Sequence, residues 1–157
     1  MATEIERKFL VHGTDWRQGA PVRLRQGYLS RDKERTVRVR IAGKRAYLTI
    51  KGVGRGVSRP EFEYEIPLQD AAELLGLCDR PPLEKDRYIV KHAGATWEVD
   101  EFLGANAGLV VAEIELQDEQ QVFQRPSWLS KEVTHDPRYY NANLSTAPYG
   151  TWRQASS

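Results

Sequence analysis

Apolar and polar residues alternate along most of the chain with a period of two, the pattern of strands with one buried face. Glu4 to Val11 sets Ile5, Arg7, Phe9 and Val11 on one face and Glu4, Glu6 and Lys8 on the other. Val22 to Ser30 is a second strand, carrying β-favouring Leu24, Tyr28 and Leu29. Thr36 to Ile41 opposes Val37, Val39 and Ile41 to Arg38 and Arg40, and a turn at Ala42-Gly43-Lys44 leads into Arg45 to Lys51. After a glycine-rich loop at 52–58, Arg59 to Ile66 opposes Phe62, Tyr64 and Ile66 to Arg59, Glu61, Glu63 and Glu65. Leu83 to Val90, Thr96 to Phe102 and Leu109 to Leu116 complete eight predicted strands. Pro60 belongs near a strand start or an edge, because it offers no N–H to a ladder.

Helical spacing is rarer. Gln69 to Leu77 carries an apolar stripe of Ala71, Ala72, Leu74 and Leu75. Asp118 to Gln124 reads as a helix capped by Asp118. Pro126 to Lys131 and Pro137 to Leu144 read as short helices with Pro in the first turn. No linker or repeat divides the chain, so residues 1–146 form one domain, followed by a loosely ordered tail at 147–157.

The polar faces carry the information. They read Glu-x-Glu-x-Lys, Arg-x-Arg, Glu-x-Glu, Lys-x-Arg and Glu-x-Glu, and side chains two apart on a strand point the same way. An open sheet with one solvated face would scatter Thr, Ser and Gln among its charges; here those residues are scarce. Like charges side by side repel unless something of opposite charge holds them. Eight strands suffice to close a barrel. The expected fold is therefore mainly β, with some α: an eight-stranded antiparallel closed barrel with a charged lumen and a few helices outside. Such polar-in, apolar-out patterning also marks membrane barrels. Arg7 on the otherwise apolar face and the lack of an export signal argue against that version.

Composition narrows the setting. The 157 residues fit one domain, and Lys plus Arg total 23 against 22 acids, a net charge of +1. That balance gives no general pull toward nucleic acid or membrane. No apolar run approaches spanning length, and the lone Cys78 permits no internal disulfide, so a cytoplasmic protein is expected. Cys78 reads as a small apolar filler. His12, His92 and His135 read as loop or surface residues. Exposed sheet edges or the four Trp residues would support a homodimer.

The inward acids would be Glu4, Glu6, Glu61, Glu63, Asp100, Glu113 and Glu115, and the inward bases Lys8, Arg38, Arg40, Lys51, Lys85 and Arg87. Lys and Arg clamp phosphate oxygens, and paired carboxylates hold Mg²⁺ or Mn²⁺ that bridge to the same phosphates. An elongated phosphate chain with divalent cations would offset repulsion on both sides.

These residues resemble a known family. Glu4-Ile5-Glu6-Arg7-Lys8 is similar to the N-terminal signature of the CYTH superfamily, the triphosphate tunnel metalloenzymes. Later segments follow that family's order: Gln26-Gly27-Tyr28-Leu29, Val37-Arg38-Val39-Arg40, Thr49-Ile50-Lys51, Arg59-Pro60-Glu61-Phe62-Glu63, Glu84-Lys85-Asp86-Arg87, Glu98-Val99-Asp100, Ala112-Glu113-Ile114-Glu115 and Glu132-Val133-Thr134. The resemblance covers residues 4 to 144 and is strongest to short bacterial members. It implies a metal-dependent triphosphatase acting on inorganic triphosphate, with two divalent ions held by Glu4, Glu6, Glu113 and Glu115, aided by Glu61, Glu63 and Asp100. Lys8, Arg38, Arg40, Lys51, Arg59, Lys85, Arg87 and Arg138 would grip phosphate. Lys8 as clamp or base, Lys85, and Tyr28 near the leaving phosphate are the catalytic candidates. Arg138 has a competing role, pairing with Asp136. A class IV adenylate cyclase, a hydrolase of thiamine or nucleoside triphosphate, and a non-catalytic polyphosphate binder are the alternatives on the same fold.

Overall fold

The structure is a computed structural model and describes residues 3–155. Among the described residues there are nine strands: β1 (Thr3–Val11), β2 (Val22–Ser30), β3 (Arg35–Ala42), β4 (Arg45–Gly52), β5 (Ser58–Ile66), β6 (Leu83–His92), β7 (Ala95–Phe102), β8 (Val110–Glu115) and β9 (Leu129–Glu132). The helices are α1 (Leu68–Leu77), α2 (Asn141–Leu144) and α3 (Tyr149–Ala155). All eight strands read from the sequence are here. They are antiparallel in the order β5-β4-β3-β2-β6-β7-β8-β1, and a β1–β5 pairing at Thr3↔Pro60, Glu4↔Arg59 and Ile5↔Ser58 closes them into a barrel. Pro60 sits in this short closing ladder, near the start of its strand.

β9 corrects the expected helix at Pro126 to Lys131. Past Ile5, β1 has left β5, so the side of β1 away from β8 would bare its backbone. β9 pairs there, at Phe9↔Glu132 and Val11↔Leu129. Unpaired buried backbone costs more than the weak local preference for a turn of helix. β9 also resolves the misplaced Arg7. Glu132 accepts from Arg7 Nε at 2.9 Å and Nη2 at 2.7 Å, and the guanidinium packs over Phe9 and Phe123.

The Arg7 hydrogen bonds, with Thr134, hold the Glu132 carboxyl at about 2. A depressed carboxyl stabilises the fold above its ordinary pKa and loses that contribution as pH falls toward the folded value. Glu132→Gln is therefore expected to destabilise by about 1.5–3 kcal/mol at neutral pH. The gap from the parent should shrink as pH falls from about 5 toward about 3. Urea denaturation across that range checks it; a gap independent of pH would count against the assignment.

Asp118 to Gln124 is not helical either. Asp118 receives the Gln120 N–H in a turn, and Phe123 leaves to pack edge-on against Phe9 and Trp97. Tertiary aromatic packing overrides a weak local helix signal. Pro137 to Leu144 divides into a 3-10 turn at Pro137–Tyr139 and α2. The tail expected to be loose holds α3, whose Trp152 stacks edge-on against Tyr139 and Tyr149.

The outward faces carry two cores. One joins Phe9, Tyr88, Val90, Trp97, Val99 and Ile114 under Trp16 and Trp128. The other seats α1 through Ala71 and Leu75 on Val39 and Ala46. α1 lies so close to β2 that a Cβ at Gly27 would stand 2.9 Å from the sulfur of Cys78. Trp16, Trp97 and Trp128 are buried, so they cannot supply the aromatic dimer surface expected of them. Among the described residues, no helix is long and apolar enough to cross a membrane.

A third cluster ends the charged interior. On the inward-facing parity, Lys85 is preceded by Leu83, Asp100 is followed by Phe102, Glu113 is preceded by Val111, and Lys8 is followed by Leu10. These apolar residues pack with Val133, Tyr139 and Leu144 into a plug at one end.

Candidate functional site

Above the plug, the barrel encloses a cavity of about 880 Å³. Its wall includes Glu4, Glu6, Lys8, Tyr28, Arg38, Arg40, Lys51, Arg59, Glu61, Glu63, Lys85, Arg87, Glu113 and Glu115. Of the expected site residues, only Asp100 and Arg138 are absent from that wall.

Asp100 lies behind the wall and is 1% exposed. Arg87 donates Nε to its Oδ1 at 2.7 Å and Nη2 to its Oδ2 at 2.8 Å, and Lys85 Nζ stands 2.7 Å from Oδ2. Burial opposes the Asp100 carboxylate, but Arg87 and Lys85 prevail and hold it at about 2. Both oxygens are thus committed to cations, and Asp100 is better described as their anchor than as a metal ligand. Arg138 donates to Asp136 at 2.8 Å and stacks near Tyr139 and Trp152, outside the cavity. Its competing structural role is the one the fold realises.

Registry explains how the charges meet. Glu6 faces Glu115, Lys8 faces Glu113 and Glu98 faces Glu113 across neighbouring strands. Like charges directly opposite destabilise a sheet. Burial, with Glu113 and Glu4, raises the Glu6 carboxyl well above the ordinary range. Burial also opposes the Glu113 carboxylate, but Lys8, Lys85 and Arg87 depress it. The two carboxyls titrate as a unit, with the proton favoured on Glu6. Burial raises Glu115 as well, with Glu4 and Glu98 adding to it. This acidic bank belongs to β1, β7 and β8.

Glu98 was missed as a site residue. It lines the cavity, and Arg87 Nη1 donates to it at 3.2 Å. The signal was present: Glu98 stands two residues from Asp100, on the same strand face. Thr49, Tyr140 and Asn141 also line the cavity, and no charge pattern marks them. His135, read as a loop residue, is one at the cavity margin.

The opposing bank lies largely on β3, β4 and β6. Lys51 Nζ donates to both oxygens of Glu4 at 2.9 and 3.0 Å and stands 3.3 Å from Glu61. Burial opposes the Glu4 carboxylate, yet Lys51 and Arg59 bring it below the usual range. Arg38 Nη2 donates to Thr49 at 3.1 Å, while its buried Nε has no hydrogen-bond partner among the described residues. Burial disfavours the Lys8 ammonium, but Glu113 and Glu6 more than offset it and raise its pKa. Burial lowers Lys85 to about 7 despite Asp100, with Arg87 and Arg40 adding to the fall.

A divalent cation suits the acidic bank. Glu6, Glu113 and Glu115 offer hard oxygen donors and bear repulsion that a cation would relieve. Among the described residues, no three His, Cys, Asp or Glu side chains already surround one point.

Comparison with known proteins agrees with this architecture. The CYTH domain profile matches residues 2–146. A protein from Acetivibrio thermocellus named inorganic triphosphatase is 52% identical over 156 residues, covering 98% of this chain and all of the relative. A second inorganic triphosphatase, from Nitrosomonas europaea, is 37% identical over 147 residues, covering 91% of this chain and 97% of the relative. The crystal structure of an inorganic triphosphatase superposes with a TM-score of 0.66 at 35% identity, covering 92% of this chain and 95% of that one.

Proposed function

This chain belongs to the CYTH domain family, and from that premise we propose that it hydrolyses inorganic triphosphate to pyrophosphate and phosphate with Mg²⁺ or Mn²⁺. The observation that carries the reading is the cavity, walled by an acidic bank facing a cationic one. The names of the two relatives support the choice of substrate.

Glu6, Glu113 and Glu115 would hold the divalent cation. Glu61, which lines the same cavity, would help to hold a second ion. A bound cation would neutralise phosphate charge and lower the pKa of an attacking water. The chain's own part is positioning and charge stabilisation, the main demands of phosphoryl transfer. Lys8, Arg38, Arg40, Lys51, Arg59, Lys85 and Arg87 grip phosphate oxygens. Tyr28, 6% exposed, bounds the cavity where a departing phosphate would pass. The apolar plug excludes water from one end.

Phosphate release tests the proposal, with inorganic triphosphate, ATP and thiamine triphosphate compared in Mg²⁺, Mn²⁺ and chelator. Metal-dependent release from inorganic triphosphate ahead of the organic substrates is expected. Cyclic nucleotide formed from ATP, or no turnover of any substrate, would overturn it.

Arg38 supplies a finer test. Its unpartnered Nε and its place in the wall make it a phosphate donor. Charge-assisted hydrogen bonds contribute about 1.5–3 kcal/mol, so Arg38→Ala is expected to raise KM roughly ten- to a hundredfold with a smaller change in kcat. An unchanged KM would remove Arg38 from the binding set.

A further inference from the structure

The lining cations are held in two ways. Lys8, Lys51, Lys85, Arg59 and Arg87 each stand within 3.5 Å of a carboxylate, and Arg38 lies 3.6 Å from Glu63. Part of their charge is already neutralised within the protein. Arg40 differs: among the described residues it has no ion-pair partner. Its Nε donates at 2.9 Å to Oε1 of Gln26, a neutral amide. Lys33 also lacks a carboxylate partner, but it stands on the exposed loop after β2.

Gln26 is fully buried and directly opposite Arg40 in the β2–β3 register. Its Nε2 donates to the Tyr28 hydroxyl at 3.1 Å and to Asn141 Oδ1 at 3.5 Å. Asn141 Oδ1 also accepts from Lys85 Nζ at 2.8 Å. One acceptor and two donors of the carboxamide are therefore engaged, which determines its orientation. A carboxylate at position 26 would hold Arg40 in the same place while cancelling its charge. An amide holds it and leaves the charge intact. Burial and the nearby Arg38 and Arg87 make that charge costly, yet a guanidinium remains protonated at neutral pH. Arg40 is thus a lining guanidinium that an amide, and not a paired carboxylate, holds in place.

We propose that Gln26 is a positioning residue that aims the uncompensated Arg40 guanidinium into the cavity and so sets the seat of one phosphoryl group of the substrate. The inference rests on the triphosphatase reading above. It makes the neutrality of residue 26, and not only its hydrogen bonds, a determinant of affinity for a polyanion.

The test compares wild type, Gln26→Met, Gln26→Glu, Arg40→Ala and the double variant Gln26→Met/Arg40→Ala, with KM and kcat for inorganic triphosphate and a melting curve for each. Wild-type turnover serves as the separate check on the triphosphatase reading; its absence defeats that reading before Gln26 is at issue. Gln26→Met, similar in length and apolar, is expected to raise KM about tenfold with a smaller effect on kcat. In the Arg40→Ala background the same change should alter KM by less than about twofold, because partners in one interaction are not additive. Gln26→Glu should raise KM about tenfold or more while the protein still melts cooperatively. Equal effects of Gln26→Met in both backgrounds, or wild-type KM in Gln26→Glu, would overturn the proposal. If Gln26→Met does not fold, Gln26→Glu decides alone, since a structural role would leave its KM unchanged.

Discussion

Glu6→Gln is expected to lower metal-dependent turnover by at least about a hundredfold while making the metal-free protein more stable at neutral pH. The two effects share one cause. Glu6 faces Glu115 across the β1–β8 ladder and lies close enough to Glu113 for each to shift the other's titration. A carboxyl whose folded pKa is raised holds more protons than its unfolded counterpart, so its contribution to stability declines as pH rises above its ordinary value. Gln removes that loss, keeps the shape, and can still donate to Glu113. It also removes a hard anionic donor that a divalent cation needs. A gain of about 1 kcal/mol would raise the melting temperature by roughly 2–4 °C in a chain of this size. Melting curves with chelator and with Mg²⁺ separate the two effects. The wild type should gain stability from metal by mass action, and the variant should gain much less. Full Mg²⁺-dependent turnover, or a metal-induced shift as large as the wild type's, would sink the ligand assignment.

Asp100→Asn is expected to act on stability first. Asp100 neutralises Lys85 and Arg87 in the interior, and the Asp100 and Lys85 side chains are each 1% exposed. Removing one member of a buried charge cluster leaves the others uncompensated and costs about 3–5 kcal/mol. The melting temperature should fall on the order of 10 °C. In the fraction that remains folded, Lys85 and Arg87 lose their anchor, so KM for triphosphate should rise while the Mg²⁺ concentration giving half-maximal rate stays put. If Asp100 were itself a metal ligand, the metal requirement would move instead. Measuring rate against Mg²⁺ at saturating triphosphate distinguishes the two, and a large rise in the metal requirement would make Asp100 a metal ligand.

These two residues mark how far the charge pattern could be read. Glu6 and Asp100 look alike in the sequence: both are acids on an inward strand face, two positions from another acid. Only the fold shows that Glu6 faces acids while Asp100 is enclosed by cations. Arg138 and Asp136 likewise pair with each other away from the cavity. Gln26 belongs to the family-like segment Gln26-Gly27-Tyr28-Leu29 but carries no charge, so the charge pattern did not mark it as part of the site.

The sequence by itself determined the strand faces, the inward turn of the charges and the need to close the sheet. Those follow from side-chain alternation, which is local and survives any arrangement of neighbours. Tertiary structure decided the rest. β9 exists because closing the barrel leaves one side of β1 without a partner beyond Ile5. The apolar plug exists because four inward faces change character at the same end. The division of acids into those that face other acids and those that anchor cations depends on register between strands distant in sequence. Coulomb energies change steeply over a few ångströms and grow in a low-dielectric interior. That distance dependence, not residue type, separates Glu6 from Asp100 and leaves Arg40 with its charge uncancelled.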